Sequence, residues 1–241
     1  MNEWTHRTRM LLGEEKSDIL ADSAVAVVGL GGVGAYAAEL ICRSGVGRMI
    51  LADGDRVEKT NKNRQLLALD STLGKFKTEV MSERCRDINP EIRIETVSDF
   101  LKDDLLRDFF ERYSFDYVVD AIDTLAPKVF LIYECVKRGI PLISLMGSGG
   151  KYAPEQVRIG DISDSFNCAL ARMVRKRLHR LGIYEGVKVV FSTESTDKNS
   201  VVNAEEIHKR SNVGTISYMP PVFGCFAASV VIRDLISGVK T

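Results

Sequence analysis

The sequence predicts an α/β protein built on a doubly wound, mostly parallel sheet, with a smaller C-terminal lobe. Three observations support this fold class. Short apolar runs alternate with helical patterns between residues 24 and 150, which is typical of parallel strands joined by helices. The glycine-rich stretch VGLGGVG, residues 28–34, directly follows the first apolar run. The 241 residues, 45% of them hydrophobic, are enough for one sizeable α/β domain.

Hydrophobic periodicity and the residues that interrupt it place the individual elements. Six apolar or alternating runs are predicted strands, at residues 24–29, 48–53, 92–97, 117–121, 141–146 and 187–191. Six segments with helical spacing are predicted helices, at residues 33–44, 75–88, 103–112, 126–138, 169–181 and 222–236. The polar stretch at residues 193–217 has no clear periodicity, and such long stretches are usually functional or mobile.

Cysteine usage and hydropathy bound the class of protein. The five cysteines form no C-x-x-C pair, so we expect a reduced, cytoplasmic protein without a structural zinc site. Cys225 lies in an apolar segment and is expected in the core, and Cys168 has no nearby base that would make it a nucleophile. No apolar run approaches the roughly 20 residues that span a bilayer, and the charged N-terminal stretch does not fit a signal peptide. We therefore expect no membrane span.

The glycine-rich stretch has the spacing of a nucleotide-binding turn. Gly29, Gly31 and Gly34 satisfy the G-x-G-x-x-G pattern of Rossmann-like proteins, and Gly32 is an extra glycine inside it. Glycines let backbone N–H groups approach a phosphate, and the helix that follows adds the positive end of its dipole. Nucleotide binding is the stronger interpretation, and a tight turn without a nucleotide is the alternative.

Charged residues follow at places where a nucleotide would need them. Asp53 ends the second predicted strand, where an acid can bind a ribose hydroxyl or simply cap the strand. Arg64 and Lys77 lie in basic stretches that are either solvated surface or the cations that neutralise a cleaved triphosphate. Asp123, just past the fourth strand, can hold the Mg²⁺ that bridges phosphates. It can also cap the following helix, and the two roles can coexist.

Five elements occur in order at fitting spacings: GLGGVG at 29–34, D-x-D at 53–55, N-x-N-R-Q at 61–65, Lys77, and D-A-I-D at 120–123. Together they resemble the adenylating domain of the ubiquitin-activating-enzyme-like (ThiF/MoeB) superfamily. The resemblance implies an ATP-binding adenylating domain at residues 1–150 and a substrate-facing region of the same fold at residues 151–241. Members of this superfamily form an acyl-adenylate from a carboxylate and ATP and release pyrophosphate.

The resemblance also implies site residues. The implied ATP-binding residues are Gly29, Gly31, Gly32, Gly34, Asp53, Asn61, Arg64, Gln65, Lys77 and Asp123. Arg64 contacts the phosphates, Lys77 stabilises the α-phosphate in the transition state, and Asp123 coordinates Mg²⁺. Arg7 resembles an N-terminal arginine that reaches into the partner subunit's site in homodimers. An arginine on the surface without such a role is the alternative for Arg7.

The C-terminal part resembles one branch of the superfamily, the tRNA threonylcarbamoyladenosine dehydratases. The matching segments are D-I-S-D-S at 161–165, the basic segment at 169–183, V-V-F-S-T-E at 189–194 and MPPVFGCFAAS at 219–229. The resemblance implies ATP-dependent cyclisation of N6-threonylcarbamoyladenosine at position 37 of ANN-decoding tRNAs, through an acyl-adenylate that releases AMP. It further implies Mg²⁺ as a cofactor, a homodimer, and a sulfur-transfer protein as a candidate partner.

The predicted helix at 169–181 is strongly basic. Its candidate tRNA contacts are Arg172, Arg175, Lys176, Arg177 and Arg180. A basic helix face suits the phosphate backbone of a nucleic acid, and a solvated face is the alternative. The apolar residues expected to form its buried face are Leu170, Met173, Val174, Leu178 and Leu181.

Two other functions remain open from the sequence. An adenylating enzyme for a ubiquitin-like sulfur carrier would act on a protein C-terminus ending in Gly-Gly, and such enzymes usually carry zinc-binding C-x-x-C pairs. An NAD(P) oxidoreductase or a nucleotide-sensing module would bind at the glycine turn, but it would leave Arg64, Lys77 and Asp123 without a role.

Overall fold

The computed structural model describes residues 3–196, 201–203 and 211–238. The strands are β1 (Ala24–Val28), β2 (Arg48–Ala52), β3 (Arg93–Val97), β4 (Tyr117–Asp120), β5 (Leu142–Leu145), β6 (Val157–Asp161), β7 (Lys188–Ser192), β8 (Val201–Asn203) and β9 (Ser211–Val213). Seven of them form one sheet in the order β3-β2-β1-β4-β5-β7-β6, which is parallel except for β6. The pair β8–β9 is a separate antiparallel ribbon.

Helices cover both faces of the sheet. They are α1 (His6–Leu12), α2 (Glu14–Asp22), α3 (Gly34–Arg43), α4 (Lys77–Ile88), α5 (Asp103–Arg112), α6 (Leu125–Arg138), α7 (Ala169–Arg180) and α8 (Met219–Ser237). Val25 and Val27 of β1 pack in the core beneath α3, α4 and α8, while Ala26 and Val28 pack in the core beneath α5, α6 and α7. This alternation on a strand buried on both sides is the doubly wound architecture that the sequence predicts.

The predicted fold class is confirmed, and all twelve predicted elements are present with ends that shift by a few residues. Outside the polar stretch at 193–217, the strand β6 and the helices α1 and α2 were missed. The edge strand β6 alternates weakly and contains a glycine. The helices α1 and α2 are short and mostly polar, so hydrophobic periodicity does not identify them as helices. Within the polar stretch, residues 197–200 and 204–210 lie outside the described part of the chain, and the rest contains β8 and β9.

Strand order places the ligand-binding crevice. β1 lies between β2 and β4. From β1 the strand order proceeds through β2 to β3 on one side and through β4 to β5 on the other, so the order reverses at β1. In an open parallel sheet, ligands bind outside the carboxyl ends of the strands at such a switch point. The glycine turn follows β1 there, and Asp53 and Asp123 follow the two neighbouring strands. The fold therefore brings the three predicted parts of the nucleotide site to one edge.

Helix α8 is long and apolar. The helix has 19 residues and contains an 18-residue window with a mean hydropathy of 1.5, so by length and composition it could cross a membrane, contrary to the expectation that no apolar run is long enough. A core helix of a globular protein meets the same test, and 44% of this window is buried, with Phe223 and Ala227 packed in the core. Cys225 was predicted to be buried and is exposed, because it lies on the face of α8 that points away from the sheet.

Candidate active site

The glycine turn is closed by backbone contacts that exclude side chains. Gly29 has φ +93°, and a Cβ at this position would lie 2.7 Å from the Ala121 carbonyl oxygen. A Cβ on Gly34 would overlap the Gly29 carbonyl oxygen. These two glycines are required so that the chain can turn from β1 directly into α3 against the end of β4. The N–H groups at the start of α3 consequently face the crevice.

The two middle glycines have different surroundings. A Cβ on Gly31 would meet only the Gln65 side-chain nitrogen, at 3.9 Å, so the turn is open on this side. A Cβ on Gly32 would lie 3.1 Å from Pro220 Cβ and 3.3 Å from the Arg64 carbonyl oxygen. Gly32 therefore lets α8 and the segment that carries Arg64 pack closely against the turn.

Asp53 is bound to the glycine turn. Its carboxylate accepts hydrogen bonds from the backbone N–H of Leu30, at 2.6 Å, and of Asp55, at 2.7 Å. Burial raises the pKa of this carboxyl, while the nearby Lys77 and the two N–H donors act in the opposite direction. Each carboxylate oxygen retains acceptor capacity after one hydrogen bond, so a hydroxyl group can still donate to Asp53.

Lys77 stands at the beginning of α4 and is almost completely buried. Its ammonium lies 2.6 Å from Asp55 Oδ2 and 3.9 Å from Asp53 Oδ1. Asp55 is the second acid of the D-x-D pattern and was not among the predicted site residues. The structure shows that both acids of the pattern lie beside the lysine, and together they hold the cation at the crevice.

The segment after β2 carries the other predicted phosphate contacts. The Asn61 side chain accepts a hydrogen bond from the Glu58 N–H at 3.1 Å, so it orders the turn before Arg64. Arg64 donates to the Asn63 side-chain oxygen at 2.8 Å and to the Thr60 carbonyl at 3.2 Å. These bonds fix one side of the guanidinium, which retains further donors for an anion.

Gln65 adds an unusual feature to this segment. Its Oε1 atom is buried and has no hydrogen-bond partner among the residues that the structure describes, while its Nε2 faces the open side of Gly31. Buried polar atoms in native proteins nearly always have partners, and exceptions point to ligand sites or ordered water. The Gln65 amide is therefore placed to bind a ligand that lies over the glycine turn.

Asp120 and Lys128 form a fully buried ion pair beneath the D-A-I-D segment, with 2.9 Å between Oδ2 and Nζ. Ser144 also donates to Asp120 Oδ2, at 2.6 Å, and Lys128 donates to the Ile122 carbonyl at 3.0 Å. These contacts hold the turn that carries Asp123. Asp120 was predicted only as part of the motif and Lys128 was not predicted, although a lysine within an apolar helical pattern is a signal for a buried partner.

Asp123 is exposed at the crevice, and the residue that precedes α6 in the N-cap position is Thr124. Among the described residues, no cluster of three or more His, Cys, Asp or Glu side chains could hold a metal ion alone. Mg²⁺ in nucleotide sites commonly uses one or two carboxylates together with substrate phosphates. Asp123 follows β4 at this edge and its side chain is exposed, so its carboxylate can bind such an ion together with phosphate oxygens.

Two more buried ionisable residues at this edge were missed by sequence analysis. Lys151 follows the glycine cluster after β5, and Glu194 follows β7. The Lys151 ammonium donates to the carbonyl groups of Asn167, at 2.9 Å, and of Glu194. Burial lowers the pKa of Lys151, against the opposing influence of Cys168 and Glu194. Glu194 ends the quoted V-V-F-S-T-E segment and Lys151 follows the glycine cluster, but their contact forms only in the folded chain.

The predicted basic helix is α7, and its residues divide into two groups. Arg172, Lys176, Arg177 and Arg180 are exposed. Arg175 instead donates to the Ser165 carbonyl at 2.7 Å and to the Ile162 carbonyl at 3.2 Å, so it fastens the preceding loop. The predicted buried face was partly wrong, because Ala171, Val174 and Leu178 are buried whereas Met173 and Leu181 are exposed.

Two further predicted positions lie outside the crevice. Cys168 is buried, and its sulfur accepts a hydrogen bond from the Ala171 N–H at 3.4 Å, so it caps α7 and is not presented as a nucleophile. Arg7 is exposed on α1 and lines a groove with Leu11 and Ile232. This groove lies at the end of α3 opposite the glycine turn, so Arg7 does not reach the nucleotide site of its own chain.

The doubly wound fold, with the glycine turn, the acid pair beside Lys77 and the exposed Asp123 at one edge, defines a nucleotide-binding protein of the adenylating class. The chain belongs to the ThiF family, whose sequence pattern matches residues 5–240. The resemblance noted in the sequence is thereby confirmed at the level of the family.

More specific similarities extend over nearly the whole chain. A Bacillus subtilis tRNA threonylcarbamoyladenosine dehydratase is 40% identical over 242 residues, which cover 97% of this chain and 95% of the relative. The Escherichia coli tRNA N6-threonylcarbamoyladenosine dehydratase has been solved in complexes with ATP and with AMP, and its structure superimposes on this chain with a TM-score of 0.88. The two sequences are 35% identical, and the match covers 99% of this chain and 97% of the E. coli chain. An E. coli sulfur carrier protein adenylyltransferase is also 35% identical, but it matches only 58% of this chain and 54% of its own length.

Proposed function

We propose that this protein catalyses the ATP-dependent dehydration of N6-threonylcarbamoyladenosine at position 37 of ANN-decoding tRNAs. The reaction cyclises the threonylcarbamoyl group through an acyl-adenylate and releases AMP and pyrophosphate. The observation that carries the proposal is the Lys77–Asp53–Asp55 arrangement beside an open glycine turn, in a chain that matches dehydratases along nearly its full length. The sulfur-carrier alternative is supported over little more than half of the chain.

ATP lies over the glycine turn in this proposal. Gly29, Gly31, Gly32 and Gly34 bring backbone N–H groups to the phosphates, and Asp53 accepts a hydrogen bond from a ribose hydroxyl. The remaining ATP-binding residues are Asn61, Arg64, Gln65, Lys77 and Asp123. The open side of Gly31, next to the unpartnered Gln65 oxygen, supports this position of the nucleotide. Asn61 acts indirectly, since its side chain orders the turn that carries Arg64.

The first chemical step joins the substrate to AMP. An oxygen of the threonylcarbamoyl carboxylate forms a bond to the α-phosphorus, the bond from this phosphorus to the bridging oxygen breaks, and pyrophosphate leaves with the electron pair. Negative charge develops on the phosphoryl oxygens during this step. Lys77 and Arg64 stabilise that charge because their donors are fixed in advance by Asp55 and by Asn63.

Mg²⁺ would be held by the exposed carboxylate of Asp123 together with phosphate oxygens of ATP. When bound, the ion supplies charge neutralisation between the phosphate groups. The buried pair Asp120–Lys128 fixes the turn on which Asp123 stands.

The second step closes the ring. The carbamoyl group attacks its own activated acyl carbon, the bond from that carbon to the AMP oxygen breaks, and a proton passes to solvent. The product has lost one molecule of water relative to the substrate. Because the attack is intramolecular, it requires positioning rather than an enzyme nucleophile. The burial of Cys168 supports a reaction without a catalytic cysteine.

The tRNA would lie across residues 151–241, the substrate-facing region, while residues 1–150 form the adenylating domain. The exposed Arg172, Lys176, Arg177 and Arg180 of α7 would contact its phosphates. Arg175 is left out of this surface, since its guanidinium is bound to the loop before α7.

We further propose a cytoplasmic homodimer in which the groove lined by Arg7, Leu11 and Ile232 is part of the contact, so that Arg7 reaches the partner subunit's nucleotide site. The exposed apolar residues Met10 and Leu11 on α1 support an interface at this face. A sulfur-transfer protein remains a candidate partner that rests on the family resemblance alone.

One experiment tests the reaction. The protein is incubated with ATP, Mg²⁺ and either threonylcarbamoylated tRNA or a sulfur-carrier protein that ends in Gly-Gly, and AMP is measured together with the mass of the tRNA nucleoside. We expect AMP formation and the loss of one water from the nucleoside with tRNA only. AMP formation with the carrier protein only would contradict the proposal and favour the alternative.

A further inference from the structure

Two aromatic side chains stand exposed at the carboxyl edge of the sheet, outside the nucleotide site. Tyr152, after β5, is 71% exposed, and Phe166, before α7, is 52% exposed. Isolated exposed aromatic residues are common and need no explanation. These two are different because a network of buried polar contacts joins and fixes the backbone segments that carry them.

Lys151 and Glu194 form the centre of this network. The Lys151 ammonium donates to the carbonyl of Asn167, the residue after Phe166, and to the carbonyl of Glu194. The Glu194 carboxylate in turn accepts the backbone N–H groups of Tyr152 and Ala153, each at 3.0 Å. A buried ammonium and a buried carboxylate, which are costly to desolvate, thus fasten the segments that carry the two aromatic residues to the chain after β7.

The Phe166 segment has a constrained conformation. Asn167 has φ +52°, a left-handed conformation that non-glycine residues rarely adopt, and its side chain donates to the Thr193 carbonyl at 2.8 Å. The Phe166 ring packs edge-on against Phe191 of β7, with 5.9 Å between ring centroids. The Phe166 ring is therefore exposed to solvent, while its contact with Phe191 and the constrained backbone at Asn167 hold it in place.

The aromatic positions are connected to the nucleotide site. The Tyr218 hydroxyl donates to the Tyr152 carbonyl at 2.8 Å, and the Gly150 N–H donates to the Gly214 carbonyl at 2.8 Å. In the same segment, the Thr215 carbonyl accepts a hydrogen bond at 3.1 Å from Asn63, the neighbour of Arg64. Hydrogen bonds to residues 214–218 thus link the Tyr152 segment to the segment that carries Arg64.

We infer that Tyr152 and Phe166 are stacking contacts for unpaired nucleotides of an RNA substrate next to the reacting adenosine. The inference rests on the proposed function. Proteins recognise single-stranded RNA loops by stacking bases on exposed aromatic side chains, with cations on the backbone. Arg172 and Lys176, exposed on the helix that begins two residues after Asn167, supply such cations. The lysine–glutamate network keeps the aromatic rings in position before the RNA binds.

The test uses the full-length protein and a fluorescent anticodon stem-loop RNA. Tyr152→Ala and Phe166→Leu remove the rings, and leucine retains an apolar contact with Phe191. Phe130→Leu is the matched control, because Phe130 is also 52% exposed but lies on α6, outside the network. We expect each site variant to bind the RNA about 5- to 100-fold more weakly. We expect Phe130→Leu to bind RNA, and all three variants to bind ATP, as the unaltered protein does.

A second readout identifies stacking itself. The RNA carries 2-aminopurine on the 3′ side of the modified adenosine, and binding of the unaltered protein should quench its fluorescence. Tyr152→Ala or Phe166→Leu should weaken this quenching. Phe166→Tyr, which retains an aromatic ring, should quench the fluorescence as the unaltered protein does. RNA affinity and quenching that stay unchanged in both site variants would overturn the inference while leaving the proposed function intact. If the unaltered protein removes no water from the tRNA, the proposed function fails, and the inference fails with it.

Discussion

The ammonium of Lys77 lies 2.6 Å from Asp55 Oδ2 and 3.9 Å from Asp53 Oδ1, which fastens the beginning of α4 to the end of β2. The same Asp53 accepts the Leu30 N–H of the glycine turn. One small group of charges thus links the phosphate-binding turn to the cation proposed to stabilise the α-phosphate, and Lys77 needs little rearrangement to act.

Replacing this cation should impair catalysis more than binding. For Lys77→Met we expect adenylation to slow by about 10²–10³, the usual loss when one preorganised electrostatic group is removed. Single-turnover AMP formation on threonylcarbamoylated tRNA measures the effect. Lys62→Met is the control, because Lys62 forms an exposed ion pair with Asp70 and should leave the rate unchanged. Equal rates for Lys77→Met and the unaltered protein would remove Lys77 from the mechanism.

Arg64 and Asp123 should behave in the same way. We expect Arg64→Ala or Asp123→Ala to slow adenylation by roughly 10²–10³ or more. Exchange of radioactive pyrophosphate into ATP in the presence of the tRNA substrate measures this step without ring closure. Exchange near the level of the unaltered protein in either variant would contradict the assignment of that residue.

The buried ion pair Asp120–Lys128 should contribute strongly to the free energy of unfolding. Lys128→Met leaves the Asp120 charge unpaired, so we expect the free energy of unfolding to fall by about 3–5 kcal/mol in urea titrations. The double variant Asp120→Asn with Lys128→Met should recover part of this loss. As a control, Arg107→Met breaks an exposed pair with Asp104 and should cost at most about 1 kcal/mol. A double variant no more stable than Lys128→Met would contradict this account of the pair.

Glu39 should make the stability depend on pH. Burial alone would raise its pKa, but hydrogen bonds and charge from Arg84 and Arg43 outweigh burial and hold the pKa below its usual value. A carboxyl with a lowered folded-state pKa stabilises the protein above its unfolded pKa, and the contribution is lost as pH falls through the folded value. Glu39→Gln should therefore lower the free energy of unfolding by about 1–3 kcal/mol at neutral pH and by much less in acid. A difference that does not change with pH would contradict this.

Helix α7 should show two different kinds of arginine. Replacing Arg172 and Lys176 with glutamine should weaken tRNA binding and make the slope of log K against log salt shallower by about two, one for each phosphate that the variant no longer neutralises. Arg175→Gln should instead lower the melting temperature and leave the salt slope unchanged, since Arg175 binds the Ser165 and Ile162 carbonyl groups. Identical salt slopes for all variants would exclude α7 from the tRNA surface.

Sequence patterns predicted the fold and the placement of several crevice residues because most of the parallel strands are apolar runs and because motif residues follow directly after them. Gly29, Asp53 and Asp123 stand at strand ends, so their position follows from topology alone. The buried partners could not be predicted in this way. Lys151 and Glu194 are 43 positions apart and meet through backbone carbonyl and N–H groups, which leave no trace in side-chain patterns.

The differences between the sequence predictions and the structure have equally local causes. Arg175 belongs to the basic run of α7 by sequence, but in the structure it donates to the Ser165 carbonyl of the loop before the helix. Cys225 shares the apolar composition of α8, yet a helix that is apolar on all sides does not reveal which of its faces meets the sheet. Composition identified both helices, and only packing identifies the faces.

The central claim is that the crevice adenylates a threonylcarbamoyl carboxylate on tRNA. The most direct measurement is the mass of the modified nucleoside after incubation of threonylcarbamoylated tRNA with the protein, ATP and Mg²⁺, with AMP measured in the same sample. The account predicts the loss of one water from the nucleoside and one AMP for each nucleoside converted. A nucleoside of unchanged mass, while ATP still binds at the glycine turn, would contradict it.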